Sequence, residues 1–262
     1  AGNCAGPAGP GAGGAGGGGG APGGTGGAGG PEGGGGISGA PGFGGTGRAY
    51  LYERDPTSGI WRTAAELERP DAPGLDQANF GYRVALSGDL ALLTTYYLGF
   101  GLATEVHVFV LRGGTWQHRQ VLSERDVGGA GFQSFFGLAI ALEGSELFVM
   151  DPDRHQDHAF RRTPSGPAEF AWVGSIPADP GQVLAAQSER LAVGRHFRGT
   201  SRIQLFEREG GAWSRIAQLT GSDPTSTAAF GSSLLLDGEA ILVGDPALPG
   251  PTQPEVGGVR DF

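Results

Sequence analysis

The chain has 262 residues, a formal net charge of −9 and a pI near 5.0, and no basic stripe able to neutralise a row of phosphates, which excludes a nucleic-acid surface of the usual kind. No apolar run reaches the roughly 18 residues that a membrane-spanning helix requires. One cysteine, Cys4, can build neither an internal disulfide framework nor a zinc site.

Residues 1–46 are nearly all Gly, Ala and Pro and hold a large share of the 53 glycines. Such a segment has almost no apolar area to offset its ordering entropy, so it is expected to be a disordered tether. Its glycines lack the strict triplet of collagen. Cys4, at the head of this tether, resembles the lipidated cysteine of bacterial lipoproteins, which a flexible spacer follows. The match is partial, since Ala1 stands where a large aliphatic residue is usual and Asn3 where a small one is. A lipid anchor at Cys4 is one expectation; an incidental cysteine in a tail is the other.

From residue 47 the composition changes and a repeat begins. Residues 47–67 supply an alternating segment, Ala49-Tyr-Leu-Tyr52, and then Trp61. Next comes NFGYRVALSGDLALL from Asn79, in which a Phe-Gly pair, an apolar run, a Ser-Gly-Asp turn and a second apolar run follow one another. The pattern returns as FFGLAIALEGSELFV from Phe135 and AFGSSLLLDGEAILV from Ala229, and in degraded form as PGQVLAAQSERLAVG from Pro180, where Pro180-Gly181 fills the Phe-Gly slot. The units start near 80, 136, 180 and 230.

Taking residues 80–122 as the template, each unit holds four strand-like segments: Tyr82 to Leu86, Leu90 to Tyr97, Glu105 to Leu111 and Thr115 to Leu122. They are bounded by Gly and Asp clusters, the signal of antiparallel hairpins. All four tryptophans, Trp61, Trp116, Trp172 and Trp213, fall in the last segment of a unit. Four strands per period of about 50 residues predict a β-propeller blade. The expected fold is therefore an all-β propeller over residues 47–262, with about four recognisable blades and a half unit at 47–67.

The pairs Phe80-Gly81, Phe136-Gly137 and Phe230-Gly231, with Val193-Gly194 and Val243-Gly-Asp-Pro246 at the ends of second strands, resemble the FG-GAP repeats of integrin α-chain propellers and of bacterial surface or secreted proteins. The resemblance implies an extracytoplasmic, non-enzymatic binding or adhesion module that meets a protein or glycan partner through its loops, with Tyr97 to Ala103 and Asp151 to His158 as candidates. It also implies a calcium loop, for which the best match is Asp151, Asp153 and Asp157; this loop lacks the turn glycine and carries Arg154. Ca2+ is the one cofactor so suggested. FG-GAP propellers usually have seven blades, so either Ala49–Tyr52 closes a four-bladed ring beside the last unit, or the array is incomplete.

Other chemistry is sparse. There is no Gly-x-Ser-x-Gly nucleophile elbow and no phosphate loop. Gly113-Gly-Thr-Trp116 matches the end of a sialidase Asp box, but Leu111 stands where the Asp is required. Kelch repeats share the period and double glycines, although their spacing to Trp is longer. Asp151 and Asp153 leave open a propeller hydrolase or lyase acting on glycans. His107, His118, His155, His158 and His196 are scattered, and scattered histidines are more often structural than ligands. The Phe-Gly pairs are expected to be wedges between blades rather than site residues.

Overall fold

A computed structural model describes residues 47–70, 79–96, 104–130, 134–163, 165, 168–179, 181–195, 201–221, 229–246 and 258–261. The tether with Cys4, the loop 97–103, Pro180 and His196 lie outside them. The described residues form antiparallel sheets joined in chain order. β1 (Ala49–Arg54) pairs with β2 (Trp61–Leu67). Three complete blades follow: β3 (Val84–Ser87), β4 (Leu90–Thr94), β5 (Val106–Arg112) and β6 (Thr115–Leu122); β7 (Ile140–Glu143), β8 (Glu146–Asp151), β9 (Gln156–Arg162) and β10 (Phe170–Ile176); β11 (Val183–Gln187), β12 (Arg190–Arg195), β13 (Arg202–Glu209) and β14 (Ala212–Thr220). The last sheet is β15 (Ser233–Asp237), β16 (Ala240–Asp245) and β17 (Gly258–Asp261). This is a β-propeller of four-stranded blades. The place beside β16 that a ring closed by Ala49–Tyr52 would need is held by β17, while β1 pairs with β2 in a sheet of their own.

The inner strands sit in series, β3 against β7, β7 against β11 and β11 against β15. Period-2 alternation gives every blade two apolar faces, and the core is accordingly a set of layers between blades. In the layer between β3–β6 and β7–β10, Ala85 shares a cluster with Ile140 and Leu142. In the next, Ala139 and Ala141 share one with Leu184, and in the third Val183 and Ala185 meet Leu234 and Leu236. Each seam thus sets small side chains of one inner strand against larger ones of the next, the interdigitation that close packing demands.

The Phe-Gly pair locks three of the seams. Phe80, Phe136 and Phe230 are 3%, 0% and 3% exposed. Phe80 stands edge-on to Phe109 at 6.2 Å, and Phe136 edge-on to Phe160 at 6.2 Å, while Phe230 lies in the third layer. The glycine that follows donates its N–H to the end of the second strand: Gly81 to Thr94 O at 3.0 Å, Gly137 to Met150 O at 2.8 Å and Gly231 to Gly244 O at 2.9 Å. Its φ is +87°, +87° and +84° in turn, and a Cβ on Gly137 would stand 2.9 Å from Val106 Cγ2. Both conditions require glycine.

The tryptophans lie on the outermost strands. Each of those strands also bulges at an equivalent place, so Ala64, Arg119, Val173 and Ile216 are skipped in the pairing with the third strand; a bulge adds twist where the blade is widest. Trp213 packs edge-on to Phe148 at 5.4 Å and Trp116 lies against the layer of Phe80 and Phe109, whereas Trp61 and Trp172 are about half exposed.

The two ends of the blades differ in chemistry. The end bearing the tight turns is tied across seams by ion pairs. Arg162 of β9 grips Asp89 of the preceding blade at 2.6 and 2.7 Å and Glu169 at 2.9 Å. Arg208 reaches Glu146 at 2.6 Å and also pairs with Glu189, and Arg190 reaches Glu239 at 3.0 Å. The hydrogen bonds from Arg162 hold the Asp89 carboxyl below the usual aspartate range. The opposite end bears the connectors between blades and the loops between second and third strands, and it is there that buried polar atoms gather.

Candidate active site

At that second end the strands β8 and β9 turn over through Pro152–Arg154, with His155 in the left-handed region. Asp151 closes β8, and Asp157 and His158 open β9; their exposures are 0%, 1% and 1%. Strand parity turns Asp151 and His158 toward the preceding blade, where the His158 ring lies 6.1 Å from that of Phe136 and 6.3 Å from that of Trp172. His158 Nε2 is 3.3 Å from Asp151 Oδ2, and its Nδ1 is 3.0 Å from Ser175 Oγ. Ser175 is on β10, opposite His158 in the pairing, and is exposed.

These contacts form one line from the buried interior to the surface. A carboxylate at Asp151 accepts from Nε2–H, which leaves the lone pair on Nδ1 facing the Ser175 hydroxyl. A serine, a histidine base and an aspartate that fixes the tautomer of the base make up the apparatus of nucleophilic acyl transfer, recognised by geometry rather than by sequence order. Among the described blades the arrangement is specific to β7–β10. The residue opposite His107 is Val121, and the one opposite Gln204 is Gln218. His107 instead contacts His118 at 3.2 Å and Glu105 at 3.6 Å.

Asp157 occupies the other face of β9. The equivalent residues of the neighbouring blades, Val106 and Ile203, are aliphatic and pack beside Gly137 and Gly231 of the blade that follows. Asp157 faces the one seam whose following unit has lost its Phe, with Pro180-Gly181 in the slot. Among the described residues neither of its carboxyl oxygens has a hydrogen-bond partner. Burial, and secondly the charge of Asp151, push its carboxyl well above the usual range.

The sign of the pH dependence follows. The folded protein retains a proton at Asp157 that the unfolded chain gives up, so this group's contribution to stability is present below the ordinary aspartate range and is lost as pH rises toward the raised value. Asp157→Val, which restores the residue type of the neighbouring blades and removes an unpartnered buried carboxyl, is expected to stabilise the fold by about 1–3 kcal/mol. The gain should be larger in mildly alkaline than in acidic buffer. Urea unfolding midpoints at the two pH values check it, and a variant less stable than the parent at both would refute the account.

The sequence-based expectation of a calcium loop fares differently. Asp153 is exposed and its Oδ2 accepts the Phe135 N–H at 2.8 Å. Asp151 and Asp157 point to opposite faces of the blade, and among the described residues no three His, Cys, Asp or Glu groups are arranged to hold a metal ion. The three aspartates are not brought together. Ser175 is the site residue that sequence reasoning missed.

No protein-family model and no curated protein sequence matches the chain. Solved structures do. A candidate 6-phosphogluconolactonase from Bacteroides uniformis aligns with a TM-score of 0.51 at 13% identity, over 82% of this chain and 64% of its own. A candidate 6-phosphogluconolactonase from Bacteroides fragilis aligns with a TM-score of 0.54 at 15% identity, over 82% and 60%. The periplasmic gluconolactonase of Pseudomonas aeruginosa aligns with a TM-score of 0.51 at 18% identity, over 75% and 56%. The chain thus spans about three fifths of the length of these neighbours, and at such identities the likeness is one of fold. These findings overturn the FG-GAP assignment and, with it, the integrin-like adhesion role and the expectation of a chain without enzymatic activity. The Phe-Gly pair misled because it answers a packing demand of the blade seam, which propellers of unrelated function share. What the comparisons establish for this chain is a β-propeller whose solved neighbours are lactonase-type propellers.

Proposed function

We propose that the protein is a hydrolase of cyclic esters, acting on a sugar lactone through Ser175, His158 and Asp151. The observation that carries this reading is the line Asp151 Oδ2, His158 Nε2, His158 Nδ1, Ser175 Oγ, with contacts of 3.3 and 3.0 Å and an exposed residue, Ser175, at its end. The names of the lactonase neighbours support it. Ser175 Oγ attacks the lactone carbonyl carbon as its proton passes to His158 Nδ1. The ring C–O bond breaks, and the departing alkoxide takes that proton. Water then attacks the resulting acyl-serine, His158 again accepting a proton and returning it to Ser175, and the open hydroxy acid leaves. Asp151 stabilises the imidazolium formed in each half.

An extracytoplasmic setting belongs to the same reading, supported by the periplasmic neighbour; no helix among the described residues is long and apolar enough to cross a membrane. The test is direct. Purified protein should consume base in a pH-stat when given an aldonolactone, at a rate proportional to enzyme and well above spontaneous opening. A rate indistinguishable from the blank across aldono-γ- and δ-lactones would remove the proposal.

A further inference from the structure

On the same end of the propeller as the relay, three aromatic rings from three separate segments line up. Tyr82, just after Gly81, stacks on Tyr96, just after β4, with centroids 4.7 Å apart and planes 22° apart. Tyr96 in turn stacks on Phe135, in the connector to β7, at 6.5 Å and 28°. The Arg83 guanidinium lies 4.7 Å from the centre of the Tyr82 ring while its Nε donates to Leu138 O, and the Asn79 amide donates to Tyr96 O at 2.9 Å. Asp153 holds the backbone N–H of Phe135. The column therefore runs Arg83, Tyr82, Tyr96, Phe135, and its final ring is 43% exposed. Its neighbour in sequence, Phe136, is fully buried as the seam wedge, so one Phe of the pair is consumed by packing and the other is held at the surface.

A well-fixed aromatic face at the surface offers negative π-density to the weakly positive C–H bonds of a saturated ring, and it loses little side-chain entropy on binding because its backbone and its stacking partner already fix it. An exposed carboxylate anchored beside that face has acceptor capacity left for hydroxyl donors. Apolar ring face and hydroxyl rim together are the surface of a sugar.

We infer that Phe135, backed by Tyr96 and Tyr82 and flanked by Asp153, is a sugar-ring subsite on which a pyranose or aldonolactone ring extends the aromatic column. The inference rests on the lactonase reading only for which sugar is bound in the cell; binding itself is measured apart from hydrolysis. The probe is gluconolactam, a ring that does not open, followed by saturation-transfer NMR and by calorimetric titration. The parent protein should show transfer to the ring C–H protons. Phe135→Ala should weaken binding about tenfold, and Phe135→Trp should keep or tighten it. A parent that binds no sugar but self-associates through this face, or a Phe135→Ala variant that binds as the parent does, overturns the subsite. Lactone hydrolysis by the parent would survive either result, so the two proposals fail separately.

Discussion

Ser175→Ala is expected to lower kcat/KM for lactone opening by at least about 100-fold, the scale of a lost nucleophile or general-base partnership, with an unfolding midpoint close to that of the parent. Ser175 is an exposed residue whose hydroxyl contacts His158, so removal of that one oxygen opens no core cavity. Asp151→Asn should be nearly as damaging to rate for a different reason. An amide can donate to Nε2, which moves the imidazole proton to Nδ1 and leaves no lone pair facing Ser175. It should also let the Asp157 carboxyl titrate nearer its usual range, because one of the two causes of its upward shift is gone. Burst kinetics with an activated ester would show the acyl-enzyme in the parent. If Ser175→Ala hydrolyses lactones at the parental rate, the relay is a structural hydrogen-bond ladder and the chemistry is elsewhere.

Phe136→Ala should cost about 3–5 kcal/mol, the price of emptying a large aromatic site in a packed core. Its ring is fully buried and fills the layer between the first two complete blades with Leu147, Val149 and Phe160, and Thr104 Oγ donates to its carbonyl at 2.5 Å. Phe135→Ala, one residue earlier, should fall within about 0.5 kcal/mol of the parent, as exposed substitutions usually do. Paired urea titrations give both numbers. A Phe136→Ala loss below about 1 kcal/mol would mean that the wedge is dispensable and that the seam relaxes around the void.

Much of this architecture was legible in the residues. Period-2 alternation and Gly-Asp turns marked the strands, and the spacing of Phe80, Phe136 and Phe230 set the blade. Even the wedge role of Phe follows from a two-faced blade that must bury both faces. The site was less legible for a specific geometric reason. In strict antiparallel pairing, continued from Phe160 opposite Trp172, His158 would face Gly174; the bulge at Val173 moves the register by one and sets Ser175 there. No motif announces a bulge, so a serine seventeen residues from its histidine carried no signal. The three aspartates read as a calcium loop look alike in sequence because side-chain direction is invisible there. Strand parity sends Asp151 and Asp157 to opposite faces, and the turn hands Asp153 to the Phe135 backbone.

The layered core also governs how the molecule comes apart. Its buried side chains fall into separate clusters, one per seam, so a blade answers to its two neighbours and to nothing farther away. Stability is then close to a sum over adjacent pairs, as in linear repeat arrays. Amide exchange would be expected to report steps, with the seam that carries Asp157 in place of an aliphatic residue opening ahead of the one that Phe136 closes. Asp151, His158 and Ser175 face the seam that Phe136 closes, so a modest loosening at the Asp157 seam, on the other face of the blade, would leave that line of contacts in place.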